Sequence, residues 1–461
     1  MSANNDFSKG SVSGNILSLA LPMTLAQLIN VLYNVVDRIY IGHIPGASTV
    51  PLTGLGLALP IITIITAFAN LFGMGGAPLC SIARGQKENK KAEQIMGNSF
   101  SMLVITGIIL MILCLLFKKP LLYLFGASSA TFPYADAYLT IYLLGTVFVM
   151  ISLGMNSFIN SQGFGKIGMM TVLLGAVANI VLDPLFIFVF RMGVQGAAAA
   201  TLISQMLSAV WVLKFLRGPK AILKLNREGM RLKAELLKNI TGLGMSGFVM
   251  SVTNGSVQII CNATLQNFGG DLYVGVMTVI NSVREIITMP VMGVTNGAQP
   301  VMGFNYGAEE YARVRSAIKF TTAVCIIYTF AVWGLLLLAP WFFIHLFNSE
   351  PELLKAGVPA MKIYFFGIFM MSLQFAGQSV FVALGKSRQA VFFSLLRKAI
   401  IVIPLTLLLP MVGNLGTNGV FLAEPVSNFI GGTACFVTMM ITVWPGLGQK
   451  EIKGAGVKNK G

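Results

Sequence analysis

Apolar stretches of about 20 residues, the length a helix needs to cross the hydrocarbon of a bilayer, recur along this whole chain. Of its 461 residues 55% are hydrophobic and only 10% are charged, whereas a soluble globular chain carries about 25% charged residues. A transmembrane β-barrel would show short alternating segments instead. The pattern predicts an all-α integral membrane protein of about twelve helices, near 16–42, 52–78, 94–117, 134–160, 167–190, 194–216, 238–266, 272–302, 314–346, 358–383, 390–411 and 417–444. The opening segment, MSANNDFSKGSVSGN, is polar and lacks the basic start and small-residue cleavage site of a secretory signal, so the first span is expected to stay in the mature chain.

The net charge of +16 follows topology rather than nucleic-acid binding. The basic residues cluster in particular connections: Arg84, Lys87, Lys90 and Lys91; Lys214 to Lys238; Lys386 and Arg388; and a tail with Lys450, Lys453, Lys458 and Lys460. Under the positive-inside rule these mark the cytoplasmic side, with both termini cytoplasmic and a plasma-membrane location. Lys118 and Lys119 fall on the other side, where snorkelling would hold them at an interface. Arg397 and Lys398 read as snorkelling anchors. The five cysteines are scattered, the two histidines are far apart, and no C-x-x-C spacing exists. Isolated core cysteines are the plain reading, and a zinc or haem site is not expected. A membrane enzyme would need such a cluster or an activated nucleophile.

The halves of the chain echo each other. The step along the chain from Pro78 to Pro300 equals the step from Gly85 to Gly307. A step only two positions shorter takes Gly165-Lys166 to Gly385-Lys386 and Pro184 to Pro404. Six spans per half return the chain to its starting side, so the copies should be related by a pseudo-two-fold axis along the membrane normal. The expected division is an N-lobe at 1–213, a cytoplasmic linker at 214–237, a C-lobe at 238–446 and a basic cytoplasmic tail at 447–461.

Two carboxylates interrupt this apolar background. Asp37 closes the series Gln27, Asn30, Asn34, Asp37, whose spacings of three, four and three put all four on one helical face. Asp183 shares a face with Asn179, four residues earlier. An ionisable side chain at the centre of a span costs about 2.5–3.5 kcal/mol on insertion scales and is normally kept for an ion or proton pathway. These residues point to a cation site inside the bilayer. Amides at Asn30, Asn34, Asn254, Gln258 and Asn262, with Gln374 and Gln378, are candidates for a polar ligand cleft. Arg284 and Glu285 fall mid-span and read either as a neutralising pair or as a ligand or gating contact.

The early Pro22 with the Asp37 stripe, the pair Pro78…Arg84-Gly85 and Gln299-Pro300…Asn305-Tyr306-Gly307, the Asn179…Asp183-Pro184 element and Gly193…Gly196-Ala197-Ala198 together resemble the multidrug and toxic compound extrusion (MATE) transporters over essentially the full length. The resemblance implies a twelve-helix, two-lobe antiporter that exports organic, often cationic and amphipathic, compounds in exchange for Na⁺ or H⁺, with no other cofactor, working as a monomer. It also implies a cation site in the N-lobe, with ligands at Asp37, Asn179, Asp183 and Thr201 and with Tyr33 and Asn156 nearby. Hard oxygen donors of this kind suit Na⁺. Another branch of the family carries acids on the seventh and tenth helices, where this chain has amides. Near Pro425 the expected acid is replaced by Asn428, while Glu424 precedes the proline, which argues against a C-lobe coupling site. The alternative within the same superfamily is a flippase for lipids or lipid-linked glycans, which a strongly cationic central cavity would favour.

Overall fold

The computed structural model describes residues 6–44, 50–347 and 350–449. Among them the regular elements are all helical: α1 Val12–Gly42, α2 Val50–Gly85, α3 Asn89–Leu124, α4 Phe132–Leu144, α5 Thr146–Ser161, α6 Gly165–Pro184, α7 Val194–Arg217, α8 Ala234–Gly307, α9 Tyr311–Leu338, α10 Pro340–His345, α11 Pro351–Tyr364, α12 Ile368–Ala383, α13 Ser387–Leu395, α14 Ile403–Leu408 and α15 Thr417–Thr442. Helices are the natural solution where no water can satisfy backbone groups.

Nine of the described helices are long and apolar enough to cross a membrane, and the bent pairs α4–α5 and α11–α12 bring the number to 11. The 74-residue α8 is too long for one crossing, and Gly270, at φ 66° and ψ −165°, breaks it into two. The count is therefore the expected twelve, and the chain is a multi-pass membrane protein. The fourth and tenth spans are not the single straight helices expected. The first bends by 57° at Gly145, the second by 47° before Ile368, where Gly367 sits at φ 72°. Apart from those two breaks, prolines inside the spans, such as Pro22, Pro60 and Pro425, are carried without loss of the helix.

Two units emerge among the described residues, Leu21–Phe248 with Asp6, and Phe7–Ala20 with the part of the chain from Val249 onward. These units differ from the expected division at two places. The first is the start of the chain, which packs with the second unit. There Asn305 and Arg313 both donate to the Phe7 carbonyl, at 3.1 and 2.8 Å, and Arg313 also reaches the Gly10 carbonyl at 3.0 Å. The Phe7 ring packs edge-on against Phe304.

The second difference is the supposed linker, which packs as part of the first unit. Asn98, fully buried on α3, donates to the carbonyls of Gly229 and Arg231, each at 3.0 Å, and accepts from the Lys233 backbone N–H at 2.8 Å. Glu93 accepts from the Lys224 N–H and the Asn226 amide, and Gln162 accepts from the Leu223 N–H. The basic side chains point outward while the backbone is stitched to α3. In the same unit α8 crosses α2 so closely that a Cβ on Gly244 would collide with the Leu71 carbonyl. Lys118 does not snorkel alone, since it pairs with Asp136 at 2.8 Å and donates to Thr140. The basic residues of the tail, from Lys450 onward, lie outside the described residues.

Replacing Asn98 with alanine strands two carbonyls and one N–H of the 218–233 segment. Losing them is expected to cost about 1–3 kcal/mol, read as a lower thermal unfolding midpoint of the purified protein in detergent, while Lys220→Ala on the outer face leaves the midpoint unchanged.

Candidate functional site

Within the first unit, α1, α6 and α7 bring together most of the residues singled out by the sequence. Asp37 is 8% exposed and Asp183 0%, so neither is a solvated surface acid. Their carboxyl groups face each other within hydrogen-bonding reach. The Asn179 amide donates to Asp183 Oδ1 at 3.3 Å and to the Thr201 hydroxyl at 3.4 Å. Tyr33, one turn before Asp37, stands in electrostatic range of both acids.

Local sequence explains the placement. Asn179 and Asp183 are one helical turn apart on α6, so their side chains stack on one face. Pro184 has no N–H to offer, and the helix beyond it widens into a π-helix over Leu185–Val189, closed by the Phe190 N–H on the Leu185 carbonyl at 2.9 Å. Proline in a helix interior removes one bond and crowds the preceding turn, and π turns gather at functional sites.

The buried oxygens Asp37 Oδ1, Asp183 Oδ2 and Asn179 Oδ1 receive no hydrogen bond from any donor among the described residues. Buried polar atoms are normally satisfied, and such exceptions need a reason. Two carboxyls this close repel each other in a low dielectric when both are charged, so the pair favours a shared proton or a small cation. Carboxylate, amide and hydroxyl oxygens together form a hard donor set, and the residues present therefore fit Na⁺ as well as a proton.

Asn156 is not part of this group. Its amide donates to the Gly168 carbonyl at 3.2 Å, about three helical turns before Asn179, or about 16 Å along the helix. Conversely Tyr138 on α4 joins the site unannounced. It is 3% exposed, hydrogen-bonds Thr201 and lies in electrostatic range of Asp37. Of the remaining stripe, Asn30 is half-buried and Asn34 is exposed, its amide turned back to the Asn30 carbonyl at 2.8 Å.

The second unit holds a charged cluster that the sequence reading misjudged. Arg397 and Lys398 are no snorkelling anchors, being 7% and 2% exposed. Both sit in a π-helical stretch, Leu396–Val402, just before Pro404. Lys398 Nζ donates to both oxygens of Glu424, at 3.0 and 2.9 Å; Arg397 lies 3.7 Å from Glu424 and donates to Asn428 at 2.8 Å. The readable signal was depth. Arg397 lies well past Arg388, about 14 Å further along the helix, too far in for a side chain to regain the surface, and Glu424 supplies the opposite charge mid-span.

Next to this cluster lies a small pocket, lined among others by Asn254, Gln258, Arg284, Tyr364, Lys398 and Glu424. Arg284 lines the pocket, while Glu285 is exposed and makes no close ion pair with it, acting on it only through the longer-range field. Asn262 is half-buried outside the lining. Gln374 and Gln378 hold α12 to α13 instead, donating to the Phe393 carbonyl at 3.1 Å and to the Ser394 hydroxyl.

A twelve-span helical protein with an oxygen-lined acid pair inside its first unit and a buried ion cluster in its second has the makings of a membrane carrier. A family model described as MatE matches residues 22–185 and 248–408, and the chain belongs to that family. A multidrug export protein, MepA, of Staphylococcus saprophyticus is 25% identical over 447 residues, covering 95% of each chain. Among solved structures, one titled as MATE in the bent conformation superposes with a TM-score of 0.90 at 20% identity, covering 98% of this chain and 99% of that one. Another, titled as MATE in the straight conformation, gives a TM-score of 0.89 at 20% identity, covering 96% and 99%.

Removing one partner of a buried ion pair leaves a bare charge and costs about 3–5 kcal/mol, whereas an apolar replacement of the pair is often neutral. Glu424→Gln should therefore lower the thermal unfolding midpoint sharply, and adding Lys398→Met to it should recover part of the loss. Equal midpoints for all three proteins would show that the pair is not closed.

Proposed function

We propose that this protein is a secondary active efflux antiporter, exporting organic, often cationic amphipathic compounds in exchange for Na⁺ or H⁺. It is a transporter and not an enzyme. The observation that carries the coupling assignment is the Asp37–Asp183 pair with its unsatisfied oxygens. Export of many compounds rests on the MatE family match and on a relative named as a multidrug export protein along 95% of the chain. That same name supports drugs over lipids as cargo.

The mechanism follows from the site. Thr201 and Asn179 hold the acids in register from α7 and α6, and Tyr33 and Tyr138 shield them from water. An incoming cation or proton cancels the repulsion between the two carboxyls and draws α1 toward α6. A lost cation reopens it. Because α1 carries both Asp37 and the stripe of Gln27, Asn30 and Asn34, ion binding and the shape of the cargo surface are one movement. The solved relatives titled bent and straight support a fold with two such states. The positive-inside pattern supports cytoplasmic termini and the plasma membrane of a cell, and nothing in the site requires a second copy.

The test is uptake of a cationic dye into proteoliposomes under an imposed Na⁺ or H⁺ gradient. Asp37→Asn and Asp183→Asn should each reduce gradient-driven flux at least ~10-fold, in line with the loss of an ionisable group whose charge is retained for function. Dye binding measured without a gradient should persist. Undiminished gradient-driven flux in both variants would overturn the coupling assignment.

A further inference from the structure

The pocket of the second unit differs in sign from the acid site of the first. Its lining carries Arg284 and Lys398 against the single carboxylate of Glu424, and Arg397 lies beside that carboxylate. Both Glu424 oxygens are already engaged by Lys398, and Arg397 is bonded to Asn428. Arg284 makes no close hydrogen bond or ion pair with any described residue, although Tyr364 and Glu424 lie within electrostatic range of it. Arginine stays charged in proteins, so the two guanidiniums alone outnumber the carboxylate. A surplus positive charge at membrane depth is costly and marks a ligand path.

We propose that this pocket is an anion subsite, in which Arg284 takes the carboxylate of a zwitterionic or anionic cargo molecule. The guanidinium fork matches a carboxylate in geometry as well as charge. Around it the Asn254, Gln258 and Asn281 amides and the Tyr364 hydroxyl supply further donors for the oxygens. The cavity measures about 20 Å³, room for one water-sized group, so it takes one oxygen of the carboxylate and leaves the rest of the molecule outside. Lys398 and Arg397, held by Glu424 and Asn428, keep the field positive without competing for the ligand. The inference rests on the transporter reading for the identity of the anion as cargo, and it assigns the recognition of that group to one side chain.

The test compares rhodamine 110, which carries a free carboxylate, with its methyl ester rhodamine 123. Equilibrium binding to the purified full-length protein is read by fluorescence anisotropy with no ion gradient, so an error in the coupling assignment would not affect it. Arg284→Gln should weaken the free acid about 10-fold, as expected for a charge-assisted hydrogen bond, and leave the ester unchanged. Arg284→Lys should restore part of the preference. Unchanged ester binding also shows that the variants are folded. Equal loss of acid and ester, or no loss of either, would overturn the proposal.

Discussion

A charge inside the hydrocarbon must find a counter-charge, a shared ion or a ligand, and much of this structure is arranged around that requirement. The carboxyls of Asp37 and Asp183 face each other. Lys398 and Glu424 bind each other at 2.9 Å. Arg284 faces a pocket. Each is a different answer to one electrostatic problem, and only the second is complete within the chain. On the proposals made above, the first is completed from outside by a cation and the third by an anion. The two units thus carry sites of opposite sign.

The duplicated halves carry this difference on a shared frame. Lys87 and Glu309, neither of them glycine, both adopt positive φ, at 63° and 60°, and are separated by the same step that takes Pro78 to Pro300. Each follows the end of a long helix, and the next N–H reaches back five positions, Glu88 to Ala83 and Glu310 to Asn305. The bends at Gly145 and Gly367 recur at that same step again. Backbone geometry is therefore repeated more faithfully than side-chain chemistry, as expected if packing fixes the frame and function varies on it.

Much of this was readable before the coordinates. Length and hydropathy set the twelve spans, and the two acids were conspicuous because intramembrane carboxylates are rare. Tyr138 escaped notice because an aromatic in a membrane helix gives no sign of whether it faces lipid, protein or an ion site. The first residues of the chain were placed with the wrong unit because their anchors, Asn305 and Arg313, lie in the far half of the sequence. Arg397 and Lys398 were misread because positive charges near a helix end usually escape to water, and only the position of Glu424 in space shows that these two do not. Gln374 and Gln378 looked like cleft residues because a polar stripe reads the same whether it meets a ligand or a neighbouring carbonyl.

The widened turns at Leu185–Val189 and Leu396–Val402 have a mechanical meaning. A π turn stores one surplus residue relative to the ordinary spiral. If that surplus is passed along by one position, the side chain it passes swings by about 100° while the ends of the span stay where they are. Each half of the protein thus holds, beside its charged group, a slack link that lets a helix rotate locally without having to slide through its neighbours.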